Sequence, residues 1–189
     1  MTICLVRHGE TDWNRIGRLQ GHEDIPLNET GREQARQSAL YLKKFNWDTI
    51  VASPLIRAKL TAQIIAREVG LNTVYEDTAF MERDYGKASG LTVDERNLLY
   101  PDGSYDGMEP WDHLARRVYD AVLRLADESP SANIIIVSHG GSINALLAML
   151  SNREIGTGKT RLRNACLNMI TYSQGQFEIL YCNKVAEEL

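Results

Sequence analysis

The chain has 189 residues, 43% of them hydrophobic and 24% charged, with a formal net charge of −4. That length fills one hydrophobic core without a second large domain, and the composition is that of an ordinary globular protein, which disfavours disorder, fibrous repeats and low complexity. The acidic balance argues against nucleic acid as a partner, because non-specific binding there runs on a field of Lys and Arg, and no apolar run approaches the roughly 20 residues that cross a bilayer.

In chain order, residues 2–6 form a short apolar strand that stops at Arg7-His8-Gly9. The opening lacks a basic flank and reads as a buried strand, not as a signal peptide. Residues 10–29 contain Gly17, Gly21 and Pro26 and follow no clean period, so a long surface loop is expected, of a length that is uncommon unless it has a task. Thr30 with Glu33 is a capping-box signature for a helix ending near Lys44, with Ala35, Ser38, Ala39 and Leu42 on one face. Residues 49–52 are a strand candidate. Ser53-Pro54 then supplies a cap and a first-turn proline for a helix that Gly70 closes.

Residues 72–75 are a second short strand candidate, and 77–107 are irregular, divided by glycines and Pro101, with room for one short helix at 93–99. Trp111, Leu114, Ala115, Val118, Val122 and Leu125 mark a long amphipathic helix starting close to Pro110. Residues 133–137 are a strongly apolar strand ending at Ser138-His139-Gly140, with a helix directly behind it. Residues 165–172 and 176–182, joined by Ser173-Gln174-Gly175, form a terminal hairpin. Strands alternating with helices predict a single-domain three-layer α/β/α sandwich over residues 1–189, with a mixed, mainly parallel sheet and an antiparallel edge from the hairpin. Cys4, Cys166 and Cys182 lie in apolar stretches, which suits reduced thiols in the cytoplasm.

Arg7-His8-Gly9 and His139-Gly140 both follow the two most convincing strands, and ligands of open α/β sheets bind beyond the carboxyl ends of the strands. Two histidines 131 positions apart are thereby expected to face one pocket. A histidine ring nitrogen held toward phosphorus serves as a covalent nucleophile. Arg7 and Arg57 offer rigid forks of donors for the phosphate oxygens, and His139 adds a donor at a helix start that favours anions. Phosphoryl transfer requires chiefly positioning and charge stabilisation, which this set supplies with neither metal nor cofactor. The departing alkoxide needs a proton, and Glu82 is the candidate donor, with Asp84 second. Each of these residues taken alone has an ordinary structural reading.

The sequence resembles the histidine phosphatase (phosphoglycerate mutase-like) superfamily. The likeness rests on Leu5-Val6-Arg7-His8-Gly9-Glu10-Thr11 with Asn14, on Gln20-Gly21 and Asp24-Ile25-Pro26-Leu27, and on Thr30-Gly31-Arg32-Glu33. Ser53-Pro54-Leu55-Ile56-Arg57-Ala58, Glu82-Arg83-Asp84-Tyr85-Gly86 and Ser138-His139-Gly140-Gly141 continue it in family order over nearly the whole chain. The resemblance implies that His8 is phosphorylated, that Arg7, Arg57 and His139 form the phosphate pocket with Asn14 and Gly140, and that Glu82 acts as proton donor and later activates water. Gln20, Gly21, His22, Tyr85 and Lys87 are candidate substrate contacts, and Glu109, Trp111 and His113 candidate rim residues.

The family includes phosphatases and cofactor-dependent phosphoglycerate mutases. Mutases carry a longer insert after the segment matching 82–86, with a tryptophan and adjacent arginines for the substrate carboxylate; here that region reads Leu98-Leu99-Tyr100-Pro101-Asp102-Gly103-Ser104. The short segment favours water access and hence hydrolysis of a small phosphorylated metabolite. A phosphoprotein substrate, a mutase, and a regulatory protein that merely binds a phospho-ligand are the alternatives, as monomer or homodimer.

Overall fold

A computed structural model describes all residues, Met1–Leu189. Six strands form one sheet: β1 (Thr2–Arg7), β2 (Thr49–Ala52), β3 (Tyr75–Glu76), β4 (Asn133–Ser138), β5 (Leu167–Ser173) and β6 (Gln176–Lys184), in the order β3-β2-β4-β1-β5-β6. The first four run parallel, and β5 pairs antiparallel with β1 and with β6. The helices are α1 (Asp12–Arg15), α2 (Glu29–Leu42), α3 (Ile56–Val69), α4 (Val93–Leu99), α5 (Trp111–Glu128) and α6 (Gly140–Leu150).

The period of two along the central strands creates the layers. Ile3, Leu5, Ile134 and Ile136 join the core cluster formed with α5 and α6. Cys4, Val6, Ile135 and Val137 join the opposite cluster, with α2 and α3. Both faces are covered, which is why β1 and β4 read as continuous apolar runs. The fold is thus the expected α/β/α sandwich with a mixed, mainly parallel sheet.

Several local expectations are corrected. Residues 10–29 are not all loop: Thr11 caps α1, accepting from Asn14 N–H at 3.1 Å. The cap of α2 is Asn28, whose Oδ1 accepts from Gly31 N–H at 2.8 Å, while Glu33 turns to Arg36 and Gln37. Ser53-Pro54 does not cap α3, which starts later. Its first turn is met from across the chain by Asp24, which accepts from Ile56 N–H at 2.6 Å. The three cysteines are free thiols, and no helix is long and apolar enough to cross a membrane.

Candidate active site

β1 and β4 are parallel neighbours, with Arg7 opposite Ser138, so the residues that follow them, His8 and His139, emerge side by side. From β1 the chain leaves toward the α2–α3 layer, and from β4 it enters α6 on the other face. The carboxyl ends of the two strands therefore sit at a topological switch point, where a crevice opens. The imidazole centroids are 5.2 Å apart.

His8 is 2% exposed, and its Nδ1 lies 2.7 Å from the Gly9 carbonyl oxygen. A carbonyl only accepts, so Nδ1 carries the proton and Nε2 keeps its lone pair. Burial, then the charges of Arg57 and Arg7, hold the His8 pKa well below that of ordinary imidazole. His139 is depressed likewise, first by burial and then by Arg57. Its Nε2 lies 2.7 Å from Ser53 Oγ, which itself accepts from Leu55 N–H. The Ser53 hydroxyl can donate to Nε2, in which case the His139 proton stands on Nδ1, a buried atom without a partner.

Arg57 projects from the first turn of α3 and is 1% exposed, its two terminal nitrogens donating to Glu23 O and Gly21 O at 2.7 and 2.8 Å. Burial lowers it to about 10, so it stays cationic at neutral pH. Arg7 donates to Leu162 O. The Nε atoms of both arginines are buried without a partner. Four of the six orphaned buried side-chain polar atoms belong to Arg7, Arg18, Arg57 and Asn144, residues that line one cavity of about 530 Å³, and a fifth is Nδ1 of His139, which is fully buried behind that lining. Buried polar groups are normally paired, and the three guanidinium nitrogens among these atoms are donors that suit an anionic ligand beside them, while Asn144 Oδ1 is an acceptor.

Glu82 is 8% exposed and sits against the first turn of α6, accepting from Gly141 N–H at 3.0 Å, Ser142 N–H at 3.2 Å and Arg83 N–H at 2.8 Å. Free N–H groups at a helix start are the natural partners of a carboxylate. The crowded glycine here is Gly141, not Gly140. A Cβ on Gly141 would lie 2.4 Å from Glu82 Oε1, whereas one on Gly140 would make only ordinary contact with Arg7, at 3.5 Å.

The same cavity is lined by Asn14, Gln20, Gly21, Tyr85 and Gly140 as well as by Arg7, His8, Arg57 and Glu82. Asn14 turns its carbonyl oxygen to Thr11 and Asn164, leaving its amide NH2 for other partners. Gln20 is held by Thr11, whose hydroxyl donates to Gln20 Oε1 at 2.9 Å. Two expected substrate contacts lie elsewhere. Lys87 is exposed and reaches Asp106. The exposed His22 bonds the Glu82 carbonyl and borders a neighbouring hollow with Asp84, Glu109 and Arg117. Of the rim candidates, Trp111 lines the cavity, its Nε1 donating to Thr157 Oγ1, while Glu109 pairs with Arg117 and His113 does not border the cavity.

Four further arginines, Arg18, Arg83, Arg96 and Arg161, line the cavity. They come from the first loop, the Glu82 segment, α4 and the approach to β5, so no local sequence pattern groups them. A second lobe of about 700 Å³ meets the first at Arg7, Asn14, Arg18 and Arg161 but contains neither histidine. No three His, Cys, Asp or Glu side chains converge in a metal-holding arrangement.

Paired histidines and buried guanidinium groups at the carboxyl edge of a parallel sheet define a phosphate-ester enzyme of α/β type. The chain belongs to the histidine phosphatase superfamily, branch 1, whose sequence profile matches residues 3–185. It is 45% identical over 177 residues to the uncharacterized phosphatase PhoE of Bacillus subtilis, covering 94% of this chain and 91% of that one. It is 32% identical over 186 residues to the probable phosphoglycerate mutase GpmB of Cronobacter sakazakii, covering 92% and 86%. Among solved structures, mycobacterial glucosyl-3-phosphoglycerate phosphatase with VO3 superposes with a TM-score of 0.88 at 29% identity, over 96% of this chain and 98% of that one. The chemistry of the chain is accordingly that of the superfamily, phosphomonoester hydrolysis and phosphoryl transfer.

Proposed function

We propose that the protein hydrolyses small phosphomonoesters through a phosphohistidine at His8. The observation that carries this reading is the anchored Nδ1–H of His8, which leaves Nε2 unprotonated in a site shared with the cationic Arg7 and Arg57, whose Nε atoms have no partner.

Nε2 of His8 attacks phosphorus while the bond from phosphorus to the ester oxygen breaks. Arg7, Arg57 and the Nδ1–H of His139 hold the three equatorial oxygens as their charge builds, with Asn14 NH2 beside them. Glu82 passes a proton to the leaving oxygen, and the alcohol departs. Water then attacks phosphohistidine, Glu82 takes a proton from it, and inorganic phosphate leaves with His8 neutral again. Asp84 is less suited to this proton transfer, because it accepts from Gly86 N–H at 2.8 Å and borders the neighbouring hollow.

The mutase reading is favoured by the likeness to GpmB. Against it stands the segment between Gly86 and Pro110, which carries only a 3-10 turn at Gly86–Ala88 and the seven-residue α4 and leaves Arg161 and Val93 exposed, which supports access of water to the phosphoenzyme.

The test is phosphate release by the wild type and Glu82→Gln across esters of graded leaving-group ability, beside a mutase assay supplemented with bisphosphoglycerate. Hydrolysis is expected in the wild type after chelator treatment. Glu82→Gln should be slowed by about 10²–10⁴-fold on alkyl phosphates and far less on p-nitrophenyl phosphate. Equal rates for variant and wild type on alkyl phosphates would remove Glu82 from the mechanism, and a dominant mutase rate would overturn hydrolysis.

A further inference from the structure

We propose that Asn164 is a positioning residue of the reaction: its side-chain amide ties the main chain of His8 to the side chain of Asn14, so that nucleophile and neighbouring amide donor are aimed as one unit. The proposal rests on the hydrolase reading of the His8 cavity and adds a residue that this reading does not use.

Residues 162–166, on the approach to β5, grip the end of β1. Leu162 O accepts from the Arg7 guanidinium, and Cys166 O accepts from Arg7 N–H at 3.2 Å. The His8 carbonyl accepts from Ala165 N–H at 3.1 Å and from Asn164 Nδ2 at 3.2 Å. The same Nδ2 also donates to Asn14 Oδ1, at 3.2 Å. Main-chain partners fix both amide orientations. A carbonyl only accepts, so the nitrogen of Asn164 faces His8. Thr11 N–H only donates, at 3.1 Å, so the oxygen of Asn14 faces Thr11. The bond between the two side chains then joins matching ends, and the NH2 of Asn14 is left for the cavity that Asn14 lines.

Asn14 depends on such contacts for its direction. It sits on α1, a helix of four residues with little stability of its own. Thr11 restrains its amide from within that turn, and Asn164 ties it to the strand end that carries His8. Ala165 beside it holds a left-handed backbone, with φ at 53°, which residues bearing a Cβ rarely adopt. Strain of this kind persists where the surroundings over-determine it. Here Ser38 Oγ donates to Ala165 O at 2.7 Å. On the far side, Arg163 N–H donates to Asn183 Oδ1 at 2.8 Å, and the Arg163 side chain pairs with Glu188 at 2.6 Å. The segment is thus held in place without the Asn164 side chain, whose loss removes the aim of Asn14 and not the fold.

The test is a double-variant cycle on kcat/KM with p-nitrophenyl phosphate, combining Asn14→Ala with Asn164→Leu, which keeps the branched shape and removes the donors. Asn164→Leu should lower kcat/KM about 10–100-fold while its urea midpoint stays close to that of the wild type. In the Asn14→Ala background the same change should cost at least about threefold less, because the amide it aims is gone. Inorganic phosphate, titrated by calorimetry without turnover, should bind Asn164→Leu at least about fivefold more weakly than the wild type. That weakening supports the role of Asn164 even if the wild type turns over no ester, a result that would refute the hydrolase reading alone. Unchanged phosphate affinity, losses that simply multiply in the double variant, or a fall in urea midpoint with kcat/KM of the folded protein unchanged overturns the positioning role and leaves the hydrolase reading intact.

Discussion

One hydrogen bond decides which nitrogen of His8 can act. With Nδ1 committed to the Gly9 carbonyl, Nε2 is the atom with a lone pair, and burial among cations keeps the ring from protonating. Nitrogen-resolved NMR of the histidine rings should therefore find His8 neutral, protonated at Nδ1, throughout the range from pH 8 to pH 6. A ring that gains a proton at or above pH 6.5 would contradict this. At the same scale, His-Gly after an apolar strand was readable from sequence, whereas the tight glycine was not. Gly140 and Gly141 look alike in the chain, and only the approach of Glu82 Oε1 to Gly141 separates them.

At the scale of elements, the site exists because neighbouring parallel strands send their chains to opposite layers. The terminal position of both histidines was legible, since a polar tripeptide interrupts each apolar run. What holds Glu82 in place was not. Arg117, on α5, donates to Ala79 O, Met81 O and Glu82 O and pairs with Glu109, so one side chain fastens the segment that presents the carboxylate. Sequence shows Arg116-Arg117 only as polar positions on an amphipathic helix, and nothing local indicates a reach to residues 79–82. The same holds for Asp24 at the start of α3, a cap supplied from 32 residues away. Arg117 is a positioning residue: Arg117→Ala should lower kcat about tenfold or more on alkyl phosphates and much less on p-nitrophenyl phosphate, and Arg117→Lys should recover only part of the loss. Uniform losses on both ester types would mean that Arg117 serves stability alone.

For the whole molecule, the two central histidines tie the fold to pH. Each is held below its unfolded pKa, so the unfolded chain binds more protons once the pH drops under the ordinary imidazole value of 6.5. Stability contributed by keeping them neutral is full above that value and is lost progressively below it. Between pH 7.5 and 5.5 the loss should be about 1.4 kcal/mol for each histidine. Urea unfolding at the two pH values checks this, and His8→Asn should remove roughly half of the difference. A pH-independent midpoint would contradict the buried neutral state. The charge of the whole molecule is a poorer guide: an acidic chain surrounds a cavity walled by arginines from distant segments, which composition averages away.

Every step of the proposed reaction passes through a covalent bond between His8 and phosphorus. Rapid mixing with a phosphate ester carrying labelled phosphorus, followed by an alkaline quench that preserves phosphohistidine, tests that bond directly. Label should appear within the first turnover on the peptide containing His8, at up to one phosphoryl group per chain, and should be absent from a folded His8→Asn variant that no longer turns over. Steady hydrolysis by that variant, or turnover in the wild type with no label ever on His8, would contradict the mechanism.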